Sequence, residues 1–133
     1  MICGVADTHT IIWYLFGDKR LSPSARNFIE TASQRGDQIG FSAITLAEIV
    51  YLIESGQIPA ETFNRTVTTL ETTRSVLIEI PFDQQVARQM FNVDRSQIPE
   101  LPDRIIAATA LYLNVPVISR DREIQASSLS TIW

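Results

Sequence analysis

Two carboxylates in this sequence stand just past short apolar runs. Asp7 follows Ile-Cys-Gly-Val-Ala, and Asp121 follows Val-Pro-Val-Ile-Ser-Arg. A third, Asp103, follows the turn-forming Pro-Glu-Leu-Pro and opens an apolar helical stretch. The fourth, Glu48, sits inside SAITLAEIVYLI, where most of the twelve residues suit a buried helix and Ile44, Ala47, Tyr51 and Leu52 share its helical face. Acids brought together repel one another, which favours protonation of some of them. A divalent cation reverses that preference. Hard oxygen ligands suit Mg²⁺ or Mn²⁺, and these ions also bind phosphate and activate water. The chemistry that such a set would serve is cleavage of a phosphodiester.

Each acid also has a plainer reading. Asp7 and Asp103 suit helix N-caps, with Pro102 fitting a helix entry, and Asp121 suits a turn. Thr45-Leu-Ala-Glu48 matches a capping box, although Ser42 is an equally good cap and would put Glu48 inside the helix. Ser119, Thr8 and Arg104 flank the acids and either contact phosphate, orient a carboxylate or are merely polar surface. Arg120 and Arg122 bracket Asp121 and either touch an RNA backbone or lie in solvent. His9 is the only histidine, so a histidine-pair zinc site is excluded. Asp18, Asp37, Asp83 and Asp94 lie near turns or caps and take no role.

The elements that must position the acids alternate. Short apolar runs at 2–6, 38–41, 76–80 and 115–118 read as strands, with a fifth at 130–133. Helical spacing runs from Thr8 toward Gly17, from Pro23 to before Gly36, over 43–55, from Pro59 to about Arg74, and from Asp83 through Met90. Residues 95–102 read as a loop and 103–114 as a strong helix that stops at Asn114. Strands alternating with helices predict an α/β fold, a three-layer α/β/α sandwich around a mostly parallel sheet of four to five strands. In such sheets ligands gather beyond the carboxyl ends of the strands, where strand order reverses. All four acids would lie on that rim, near helix N-termini whose partial positive charge favours them.

The chain has 133 residues, the size of one domain, so residues 1–133 are expected to form a single unit. Its hydrophobic share of 45% and charged share of 20% are ordinary for a globular protein. One cysteine, Cys3, precludes an internal disulfide or a cysteine-rich zinc site. Its apolar neighbours suggest a buried thiol, and the cytoplasm is the expected compartment. No apolar run spans a bilayer and no signal peptide is visible, so no membrane role is expected. A net charge of −4 and a pI near 4.9 argue against broad electrostatic binding of nucleic acid. They leave room for a metal bridging carboxylates to phosphate, and for a cationic partner.

ADTHTIIWYL, SAITLAEIVYL, LPDRIIAATAL and VISRDREI resemble, in that order, the four acidic motifs of PIN-domain nucleases, most of all the VapC-like toxins of bacterial toxin–antitoxin pairs. The likeness spans essentially the whole chain. It implies a metal-dependent ribonuclease (a hydrolase) in which Asp7, Glu48, Asp103 and Asp121 hold Mg²⁺ or Mn²⁺ and cleave RNA, often tRNA. It implies that Ser119, two residues before the last acid, helps order the site. It also implies a homodimer and an antitoxin whose tail covers the acidic groove. Many relatives carry Asp-Pro-x-Asp-Arg at the third motif. Here the segment reads Glu100-Leu-Pro-Asp103-Arg104, which matches Asp103 and leaves Glu100 without an assigned role. Two rivals stand beside this reading. One is a phosphotransfer or phosphatase domain using Asp7 as nucleophile, against which His9 stands where a second acid is needed. The other is a non-catalytic PIN-like module that only binds.

Overall fold

Five short apolar runs pair side by side, all parallel, in the computed structural model, which describes residues Met1–Trp133. They are β1 (Ile2–Ala6), β2 (Gln38–Ser42), β3 (Leu77–Ile80), β4 (Val117–Ile118) and β5 (Thr131–Ile132). The sheet order is β3-β2-β1-β4-β5. The chain therefore builds outward from β1 to β3, crosses back, and builds outward the other way. The reversal falls between β1 and β4, where Val5 pairs with Val117 and Ala6 with Ile118. The helices are α1 (Thr8–Leu15), α2 (Pro23–Gln34), α3 (Ile44–Glu54), α4 (Thr62–Glu71), α5 (Gln84–Gln89), α6 (Leu101–Leu113) and α7 (Arg122–Ala126).

Strand alternation splits the interior into two cores. Ala6, Ile39, Phe41, Leu77 and Ile118 face one side, where Ile11 and Ile12 of α1, Ala25 and Ile29 of α2 and Ile49 of α3 meet them. Val5 and Val117, one residue out of phase, face the other side and pack on Val86 of α5, Ile106 and Ala110 of α6 and Ile124 of α7. Helices thus cover both faces, giving the α/β/α sandwich. Gly4 lets α2 approach β1, because a Cβ there would stand 3.1 Å from the Phe28 ring. No helix is long and apolar enough to cross a membrane.

Local signals explain most boundaries. Ser22 caps α2, its Oγ accepting the Ala25 N–H at 3.0 Å, with Pro23 at the first position. Asp83 caps α5 in the same way through Val86 N–H. Asn114 ends α6 in the left-handed region at φ 56°, a conformation asparagine tolerates.

Several expectations need correction. Residues 101 and 102 belong to α6 rather than to the preceding loop, because Pro102 in the first turn lacks only an N–H that would have no partner anyway. The Pro59 helix is shorter than expected, running from Thr62 to Glu71. Met90 lies outside α5, in a 3₁₀ turn over Met90–Asn92. The five-residue α7 is too short to show a helical period and had no counterpart in the sequence reading. Cys3 sits at the margin of the first core, partly exposed, where the register of β1 against β2 shifts. The helical face around Glu48 is also less buried than its composition suggests. Tyr51 is 66% exposed, and only Thr45 and Ile49 of α3 are fully enclosed.

Candidate metal centre

β1 ends at Ala6, and the next residue turns the chain into α1. Asp7 there is N-cap and cleft acid at once, because a carboxylate has two oxygens. Oδ1 accepts the Thr10 N–H at 3.0 Å, capping the helix. Oδ2 accepts the Ser119 hydroxyl at 2.5 Å. The Asp7 backbone is fixed as well, its N–H donating to Ile118 O across the strand reversal.

Across that reversal β4 ends in Ser119, Arg120 and Asp121. Asp121 caps α7, its Oδ1 accepting the Ile124 N–H at 3.0 Å, and its own N–H donates to Ser119 Oγ at 3.0 Å. The buried Ser119 hydroxyl therefore ties the Asp7 side chain to the Asp121 backbone. Asp121 Oδ2 takes no hydrogen bond from the protein and stays available.

Glu48 lies in the second turn of α3. The capping box fails here: α3 starts at Ile44 with no side-chain cap on its N-cap residue Ala43, so Thr45 is already inside the helix. Thr45 instead meets Thr8, their hydroxyl oxygens 3.0 Å apart, and the Thr8 hydroxyl donates to Glu48 Oε1 at 2.5 Å. A threonine hydroxyl has one hydrogen, so Thr45 donates to Thr8 and Thr8 to Glu48. Thr8 orients a carboxylate; it is buried and does not face solvent. Burial raises the Glu48 pKa, the Thr8 hydrogen bond and His9 oppose it, and Asp7 and Glu100 add to it.

Asp103 stands in the first turn of α6, with Glu100 at the N-cap position and making no cap bond. No protein donor reaches the Asp103 carboxylate. Burial, and then the charges of Asp121, Glu48, Glu100 and Asp7, push its pKa up to about 7. Burial and like charge thus both favour the protonated form of Asp103.

Asp7, Thr8, His9, Trp13, Arg20, Glu48, Glu100, Asp103, Arg120 and Asp121 line one cleft of about 450 Å³ at the carboxyl edge of the sheet, beside the strand reversal. The four predicted acids thus share one wall. They do not yet close on a single point: no three of them stand as a ready cage for a metal ion. The donor set, hard carboxylate oxygens with Asp103 unpartnered, suits a hard divalent cation.

Two placements differ from the sequence reading. Arg104 turns away from the cleft; its guanidinium donates to Met90 O at 3.0 Å and anchors the 3₁₀ turn to α6. Glu100 joins the cleft as a fifth carboxylate. Trp13 and Arg20 were not singled out, although both line it. Trp13 lies on the apolar face of α1, and Arg20 reaches the cleft only through the turn after α1. Nothing local in the sequence marks either one.

The PIN-domain family model matches residues 5–127. No curated protein matches the chain. Among solved structures, VapBC2 of Rickettsia felis bound to a promoter DNA fragment aligns at 18% identity and a TM-score of 0.70, covering 98% of this chain and 97% of that one. A toxin–antitoxin complex from Klebsiella pneumoniae aligns at 25% identity and a TM-score of 0.66, covering 98% and 96%. FitAcB of Neisseria gonorrhoeae aligns at 24% identity and a TM-score of 0.54, covering 96% and 95%. The last motif acid, Asp121, falls inside the matched span together with the other three, and the chain belongs to the PIN-domain family.

Proposed function

We propose that this protein is a Mg²⁺- or Mn²⁺-dependent endoribonuclease and the toxin of a cytoplasmic toxin–antitoxin pair. The observation that carries the reading is the gathering of Asp7, Glu48, Asp103, Asp121 and Glu100 in one cleft, with the Asp103 carboxylate left without a protein donor. Such an arrangement is costly for folding and is explained by a cation that the acids serve.

Asp7, Glu48, Asp103 and Asp121 are the residues that would hold the ion, with Glu100 beside them. When bound, it supplies the charge that polarises a phosphodiester and makes a water acidic enough to attack. The protein's own part is orientation. Thr45 and Thr8 aim Glu48 through a relay of hydroxyls, and Ser119 with the Thr10 N–H fixes both oxygens of Asp7. Asp103 would be held ionised by a bound cation, offsetting the burial and repulsion that otherwise favour its proton.

The sequence disfavours Asp7 as a phosphotransfer nucleophile, because His9 stands where that reading needs a second acid. The toxin assignment leans on the likeness to the toxin–antitoxin complex of Klebsiella pneumoniae. Under that assignment the acidic cleft suits a cationic antitoxin segment, RNA (tRNA among the candidates) is the substrate, and the active form is a homodimer.

The test is digestion of labelled RNA with and without Mn²⁺, comparing the protein with Asp7→Asn. Mn²⁺-dependent cleavage that Asp7→Asn removes supports the reading. An inert protein that still binds RNA would make it a non-catalytic module. Capture of beryllofluoride at Asp7 would favour phosphotransfer.

A further inference from the structure

The cleft has a second wall. The Trp13 indole, only 7% exposed, is overlaid by two guanidinium groups, with the Arg20 carbon 5.1 Å and the Arg120 carbon 5.5 Å from the ring centroid. The His9 ring stands 5.6 Å from Trp13 and the Trp133 ring 5.8 Å away on a tilt. The buried indole thus has two cations against it, and cation–π attraction holds them there.

These cations share the cleft with five carboxylates and yet pair with none of them. Arg20 instead takes Asp18 from outside the cleft, through Nε at 3.1 Å and a terminal nitrogen at 2.7 Å. That fork pins the side chain while leaving part of its donor edge unspent. Arg120 makes no hydrogen bond or ion pair, so all five of its N–H donors are open. Charges of both signs kept apart in one cleft imply two kinds of work. The acids suit a metal ion. Planar forks with unspent donors suit phosphate oxygens.

We propose that Arg20 and Arg120, seated on Trp13, form a cradle for backbone phosphates of an RNA strand flanking the bond cleaved at the acidic wall. This rests on the ribonuclease reading for the identity of the strand. A chain of net charge −4 has no general attraction for RNA, so its attraction must be local. Arg20 and Arg120 are the only arginine or lysine side chains lining the cleft. Both are positioning residues in this scheme; neither is assigned a bond-making role.

The test is fluorescence anisotropy with a labelled, mixed-sequence oligoribonucleotide of about 15 nucleotides, read within seconds of mixing with Mn²⁺ on ice, across a salt series. Arg20→Gln and Arg120→Gln should each weaken binding about 5- to 20-fold and lower the log–log salt slope by about 0.7. Arg120→Lys keeps the charge without the fork and should recover part of the loss. Arg65→Gln is the control. It changes net charge equally, but Arg65 lies over Phe16 and pairs with Glu61, outside the cleft. Wild-type affinity in both cleft variants overturns the cradle, as does an equal loss in Arg65→Gln or no binding by the wild-type protein. Anisotropy reads binding whether or not the strand is cut, so a protein that binds through these arginines but never cleaves would sink the nuclease reading alone.

Discussion

The two edges of one sheet carry two clefts of opposite character. At the carboxyl edge lies the 450 Å³ cleft with its five acids; at the amino ends of β4 and β5 lies one of about 330 Å³, lined by residues such as Ile98, Leu111, Asn114 and Leu129. A parallel sheet enforces this asymmetry. Helices α1, α3, α6 and α7 all begin at the carboxyl edge, where exposed N–H groups favour anionic side chains. The amino edge receives helix ends instead, among them the Asn114 end of α6. One aspartate in each cleft shows that burial, crowding and hydrogen bonding outweigh this edge field. Asp94, at the amino edge, accepts the Ser96 hydroxyl at 2.6 Å and its N–H at 2.8 Å, and these hydrogen bonds lower its pKa. Asp103 accepts nothing and is pushed up to about 7. The same side chain is satisfied in one cleft and left waiting in the other.

That contrast can be broken most sharply by activity. Asp103→Asn is expected to cut Mn²⁺-dependent RNA cleavage by several kcal/mol, about 10³-fold, whereas Asp94→Asn leaves it unchanged. Labelled-RNA digests of the two variants decide, and equal losses would erase the distinction between the edges. Ser119→Ala should cost less, about 10- to 100-fold, because it loosens the Asp7 carboxylate and the Asp121 backbone without removing an acid. A full loss there would mean that Ser119 itself touches the reacting groups.

Stability sharpens the comparison next. The folded pKa of Asp103 lies above its ordinary value of 3.8, so its contribution to stability is complete below about pH 4 and is lost as pH rises through about 7. In metal-free protein at about pH 8, Asp103→Asn should therefore raise the melting temperature, by about 5–10 °C. Asp94→Asn should not raise it, since that carboxylate is lowered and favours the folded state above pH 4. Thermal melts without metal test both, and a destabilised Asp103→Asn would mean that the carboxylate is not strained. Glu48→Gln belongs with Asp103: cleavage lost, melting temperature equal or higher.

The smallest expected effect is linkage. Millimolar Mn²⁺ should raise the melting temperature of the wild-type protein by a few degrees and do much less for Asp103→Asn. Equal shifts in both would place the bound ion elsewhere.

Much of this was legible along the chain, for particular reasons. Asp7 and Asp121 stood out because an acid directly beyond an apolar strand must sit on the sheet's rim. Asp7 caps α1 as its plainer reading has it, whereas Asp121, read as a turn residue, caps α7 instead; both also line the cleft. Glu48 stood out as a charge amid apolar residues, although Thr45 does not cap for it. What stayed hidden depends on contacts between distant segments. Thr45 gives no local hint that it bonds Thr8, and Arg20 none that it lies, as Arg120 does, against the Trp13 indole. Arg104 beside Asp103 invited a role in the cleft, and only the packing of α6 against the Met90 turn reveals its other use.

Ser119 carries a consequence for variation of the sequence. Its oxygen gives one hydrogen to a side chain 112 positions away and takes another from the main chain two positions on. Few side chains can do both at so short a reach: an amide is too long, a thiol too weak a partner, a methyl incapable of either. Threonine is the natural substitute. Any other exchange unfastens two strand ends at once, so damage at 7 and at 121 should fail to add when combined with a change at 119.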